Sequence, residues 1–145
     1  MSESAAQQND QVNARRVAGC WRMEAGPFST VGARASDPGQ TMLPSVIRLE
    51  MVPGKSWTGE PLGRRVYALA DPSGSRYREG YYRFGGRDSL HVEWTNGVVG
   101  MTLTLRVDTL VMRGRASAWT DYGGEERAPI LLRRVSCPAR NLGAD

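Results

Sequence analysis

Two runs of alternating apolar and polar residues meet at Asn96-Gly97, and that junction constrains the chain more than any other feature. Asn-Gly readily takes the positive φ that both central positions of a type I′ turn require, and the twist of that turn matches a pair of antiparallel strands. Before the turn, residues 89–95 set Leu90, Val92 and Trp94 on one face and His91, Glu93 and Thr95 on the other. After it, residues 98–106 turn Val99, Met101, Leu103 and Leu105 inward and Thr102, Thr104 and Arg106 outward. A period of two on both sides predicts a hairpin with one face buried and one in solvent.

The same period recurs along the chain. Residues 45–52 alternate Ile47, Leu49 and Met51 with Arg48 and Glu50. Strand character returns at 17–25, with Gly19 able to form a bulge, and at 65–70, 76–84, 109–120 and 130–136. In the 109–120 run, Gly114, Ala116 and Ala118 are the small residues that a crowded barrel interior needs. Seventeen Gly and eight Pro punctuate the 145 residues and argue against long helices. The result is about eight short strands in meander order, which predicts an all-β fold, a single antiparallel up-and-down barrel. The expected organisation is a polar, extended N-terminal tail over 1–16, a barrel over 17–137 and a C-terminal tail over 138–145. If the first strand pairs with the last, Cys20 and Cys137 meet across the seam, close enough for a disulfide.

Charge and composition narrow the setting. The net charge is +4 and Lys55 is the only lysine, so the cationic surface is built from Arg, which suits ion pairs and stacking at interfaces. That charge mildly favours an acidic partner or an anionic membrane surface. No apolar run approaches the roughly 20 residues of a membrane-spanning helix. The polar head 1–16 has no apolar signal region, which points to an extrinsic protein on the cytoplasmic side of a membrane. The two cysteines, one near each end of the barrel segment, point to the periplasmic alternative if they are paired.

Little in the chain supports catalysis. The single histidine, His91, has Glu93 two residues on but no accompanying nucleophile, and reads as a solvated strand residue. One His and two distant Cys do not form a usual zinc site. Gly85-Gly86 opens a hairpin and not a helix, so it cradles no phosphate. Asp121, Glu125 and Glu126 read as a solvated acidic loop. Residues 76–84 (RYREGYYRF) interleave bases and aromatics as single-strand nucleic-acid platforms do, but aromatic cross-strand pairs account for the same composition. We therefore expect no enzyme activity, no cofactor, no metal and no nucleic-acid partner.

The residues also carry two resemblances. Gly19-Cys20-Trp21 resembles the Gly-x-Trp signature of the lipocalin superfamily, and Thr120-Asp121-Tyr122 resembles its Thr-Asp-Tyr turn. The likeness implies that Trp21 closes the barrel floor, that Arg133 or Arg134 stacks on it, and that the open mouth takes a small apolar molecule. A second resemblance is to a group of small, Arg-rich, exported bacterial barrel proteins. It rests on Gly19 to Arg22, Trp94 to Gly97, Thr109 to Ala116 and the closing Cys137. It implies the barrel and a Cys20–Cys137 disulfide, and no activity.

Two functions follow as expectations. The first is a non-catalytic, extrinsic subunit that holds together a larger membrane-bound complex, respiratory or photosynthetic, through its tails and loops. Arg15, Arg16, Phe28 and Trp57 would be its contacts with other protein subunits and the membrane surface, since exposed aromatics and Arg anchor interfaces. The second is a carrier of a small apolar ligand, with the loop over 26–44 as its lid.

Overall fold

The computed structural model describes residues 5–31, 44–55, 61–69, 80–86, 88–95, 99–108, 110–120 and 125–137. The chain opens with a helix, α1 (Ala5–Val17), followed by β1 (Gly19–Ala25) and a short β2 (Ser29–Val31). It continues through β3 (Val46–Lys55), β4 (Pro61–Leu69), β5 (Gly80–Phe84) and β6 (Ser89–Thr95), then β7 (Val99–Val107), β8 (Val111–Thr120) and β9 (Glu125–Val135). Every pairing is antiparallel; β1 and β3 to β9 pair in meander order, and β1 also pairs with β9, from Cys20↔Val135 to Ala25↔Ile130, closing an eight-stranded up-and-down barrel. The short β2 runs on along β9 after a bend.

The hairpin expected from the alternation is β6 against β7, in register from Ser89↔Arg106 to Thr95↔Gly100. Its Asn96-Gly97 connection lies outside the described residues, as does most of the loop proposed as a lid. Alternation decides which side chains go inside. Ile47, Leu49, Val66, Tyr82, Leu90, Val92, Trp94, Met101, Leu103, Leu105, Met112 and Leu132 are all nearly or wholly buried in one cluster. Ala116 and Ala118 are buried as expected, whereas Gly114 is exposed.

Gly114 is there for backbone room. A Cβ at this position would lie 1.8 Å from the Thr104 carbonyl oxygen on β7. Main chain cannot yield as a flexible side chain can, so Gly114→Ala is expected to cost about 1–3 kcal/mol through overpacking. A melting temperature equal to wild type would show that the β7–β8 ladder has slack here. Aromatic rings cover two other glycines: Tyr81 lies against Gly54, and Trp119 against its register partner Gly100. Tyr82 is buried in the core with its hydroxyl donating to the Glu50 carbonyl at 2.6 Å. The described aromatics of the 76–84 stretch therefore serve the barrel wall.

Several boundaries differ from the sequence reading: β3 runs on to Lys55 and β4 starts at Pro61, where an irregular connection is expected, and three further differences have a visible cause. Residues 5–17, expected as an extended tail, form α1. Its Ala, Gln and Arg residues are good helix formers, and Ala14 and Val17, three apart on one face, are fully buried. Val17 thus belongs to the helix and not to the first strand. The last strand begins at Glu125 instead of at residue 130, despite Pro129 within it. The Pro129 carbonyl accepts a bond from the Gly26 amide at 2.9 Å, so that edge of Pro129 faces the bend between β1 and β2. A proline fits a strand where its missing N–H interrupts no ladder. In consequence Glu125 and Glu126 are strand residues, and Glu126 is only 4% exposed, not part of a solvated acidic loop.

Candidate functional site: the helix-plugged end of the barrel

The strand directions put α1, the end of β3 and the start of β4, and the β5–β6 and β7–β8 turns at one end of the barrel. Here Trp21 on β1 forms a floor, fully buried, with its indole Nε1 donating to the Val17 carbonyl at 2.9 Å. Arg134 on β9 lies over the Trp21 ring at 4.4 Å from its centroid, a cation–π contact. The same guanidinium donates to the Ala18 carbonyl at 2.8 Å and to the Arg16 carbonyl at 2.5 Å. The last carbonyls of a helix have no partner within it, and they carry the negative end of its dipole. Trp21 and Arg134 supply both the donors and the positive charge, so the floor of the barrel is also the C-terminal cap of α1.

Gly19 makes the junction possible. Its φ of +121° lies in a region that side-chain-bearing residues rarely adopt, and a Cβ would approach the Arg134 guanidinium to 3.0 Å. The turn it allows takes the chain from helix to strand within two residues. Beside it, Cys20 and Cys137 form a disulfide with Cα atoms 5.1 Å apart, tying the first strand to the segment just after the last.

This end carries the features of a contact surface. Arg16, Asp88, Arg106, Asp108, Val111 and Arg113 line a groove of about 400 Å³ on the outside of the β7–β8 hairpin. Arg16 reaches Asp88 at 3.4 Å. Val12, one helical turn before Arg16 on the same side of α1, is 54% exposed, and Leu110, in the turn beside the groove, is 64% exposed. Exposed apolar residues with arginine nearby are a composition common to protein interfaces.

The residues singled out in the sequence fall into three groups. Arg16, Trp21, Arg134 and the two cysteines come together at the plugged end, with Arg15 exposed on the last turn of α1. Arg133 instead faces outward and pairs with Glu24 at 3.5 Å. Phe28 is half-buried against the core, and Trp57 lies outside the described residues. His91 and Glu93 are both exposed on β6. Among the described residues no group of three or more His, Cys, Asp or Glu is placed to hold a metal ion, and no helix is long and apolar enough to cross a membrane. Arg106 and Arg113 escaped the sequence reading, because what brings them together is the register of β7 on β8.

A second outer groove, of about 480 Å³, lies on β7 to β9 between Thr102, Thr104, Arg115, Ser117 and Arg127. Arg127, one of its two arginines, is satisfied internally. Glu125 accepts hydrogen bonds from Arg127 Nε at 2.8 Å and Nη2 at 3.1 Å, and from the Ser117 hydroxyl. These bonds, the Arg127 pair first, hold the Glu125 carboxyl below its ordinary range. A lowered folded value means that its contribution to stability is complete above the usual glutamate pKa of about 4.3 and disappears as pH falls through the lowered value. Glu125→Gln is therefore expected to flatten the acid side of a melting temperature against pH curve, with no change in slope above about pH 5. An unchanged acid limb would show that the pair does not persist in solution.

The architecture is compatible with a lipocalin-like barrel. Comparison with models of known protein families and with curated proteins finds no match to this chain.

Proposed function

We propose that the protein is a non-catalytic subunit that binds another protein through the helix-plugged end of its barrel and the adjoining groove. One observation carries this reading: the interior between the described strands is occupied by the protein's own side chains, and α1 seats Ala14 and Val17 at one end of it. A barrel of about eight strands has room for little else once such residues fill it. Its recognition surface is then its outside, where the plugged end groups exposed Val12 and Leu110 with arginines. The Trp21–Arg134 stack is what a lipocalin-like relationship implies for this end, while the filled interior counts against ligand carriage. A net charge of +4 suits an extrinsic position on a membrane-bound assembly, and the Cys20–Cys137 pair favours its oxidising, periplasmic side.

The test uses the full chain. Val12→Asp combined with Leu110→Asp changes two exposed positions and should leave the melting temperature nearly unchanged. Affinity isolation under mild conditions should recover a stoichiometric protein partner with wild type and lose it with the double variant. Equal recovery with both would remove the plugged end from the interface.

A further inference from the structure

The register of the β7–β8 hairpin sets Arg106 directly opposite Arg113. Both are exposed, and both line the groove beside the plug. Directly opposed side chains on one face of an antiparallel pair have Cβ atoms about 4.5–5.5 Å apart, and like charges in that position repel. Elsewhere on the barrel the arrangement is compensated. Arg22 stands opposite Arg133 in the β1–β9 register, but Arg133 is paired with Glu24. Arg127 is held by Glu125, Arg48 by Glu50 at 3.4 Å, and Arg16 by Asp88. Among the described residues neither Arg106 nor Arg113 has a carboxylate within ion-pair distance. The same groove holds two carboxylates, Asp88, which Arg16 engages, and Asp108, and neither forms an ion pair with Arg106 or Arg113, so the three groove arginines outnumber its acids.

We propose that Arg106 and Arg113 form a two-guanidinium site for carboxylates on an acidic segment of the partner protein. Guanidinium is planar, always charged and weakly hydrated, and its paired N–H groups match the two oxygens of a carboxylate. Two of them side by side take one carboxylate between them or two from neighbouring Asp or Glu residues. Binding then relieves the Arg–Arg repulsion, so the interaction stabilises the barrel as well as the complex. Half-buried Val111 lines the groove and exposed Leu110 stands next to it in the chain, which gives such a segment apolar contact beside its charges. This inference rests on the proposed contact through the plugged end and names the chemistry of what docks there.

Three full-length proteins decide it: wild type, Arg106→Gln with Arg113→Gln, and a control of equal charge change, Arg22→Gln with Arg133→Gln. The probes are a hexaglutamate peptide and inorganic phosphate, titrated at low ionic strength, with melting temperature as a second readout. Wild type and control should bind the peptide with similar affinity, and the groove variant at least about ten-fold more weakly. Without peptide, the groove variant should melt no lower than wild type, since it loses a repulsion and no partner. Saturating peptide should raise the melting temperature of wild type but not of that variant. Equal weakening in both variants would reduce the effect to diffuse charge and overturn the site. Binding of phosphate but not peptide would overturn the acidic segment as its occupant. If the partner complex is lost with Val12→Asp and Leu110→Asp yet survives both glutamines, the plugged end remains the interface and the arginine site is wrong. Survival through all four substitutions removes the interface itself.

Discussion

Trp21→Ala is expected to lower the unfolding free energy by about 3–5 kcal/mol, the range for truncating a fully buried large aromatic side chain. Three losses coincide at this residue. The barrel floor loses its largest filler, the Val17 carbonyl loses the indole donor, and Arg134 loses the ring on which it lies. Because Arg134 also holds the Arg16 and Ala18 carbonyls, α1 should loosen together with the floor. Hydrogen exchange reads this directly: amides of α1 should lose protection along with those of β1. A variant that keeps α1 protected while losing stability would mean that the plug docks independently of Trp21. A loss below about 1 kcal/mol would mean that the floor is not packed as described.

Removing the disulfide should have an effect of similar size. Cys20 and Cys137 are separated by 117 residues, and closing so long a loop restricts the unfolded chain by about 4–5 kcal/mol in the chain-entropy model. Cys20→Ala with Cys137→Ser is therefore expected to lower the denaturation midpoint markedly without changing the far-ultraviolet spectrum of the barrel, because the β1–β9 ladder still closes the seam. Reducing the wild-type protein should reproduce the loss. Equal stability of oxidised, reduced and doubly substituted protein would show that the ladder alone determines closure.

The barrel was legible because its information is local. Alternation around Asn96-Gly97 predicts the β6–β7 hairpin, and the absence of long helical patterns between Val17 and Ser136 left a meander as the simplest arrangement. Two things hid α1. Its only buried residues among those with a described environment are Ala14 and Val17, which give too narrow an apolar stripe to stand out in a polar stretch, and what holds its end is Arg134, more than a hundred residues away. Deleting residues 1–16 removes part of the core, so it cannot serve as a neutral test of a tail. Pro129 hid the start of β9, since a proline argues against a strand interior unless a gap in the ladder faces it, and that gap depends on the bend at Gly26. Likewise, the opposition of Arg106 and Arg113 is a product of register, which neither residue reveals alone.

The proposed function requires a barrel that is full and binds through its outside. Native mass spectrometry of the full-length protein, isolated under mild conditions from the cells that make it, distinguishes a full barrel from a carrier. The expected result is a complex whose mass equals this chain plus a protein partner, dissociating to a chain that carries the disulfide and no other added mass. A monomer that retains a small apolar molecule, released only on unfolding, would contradict it.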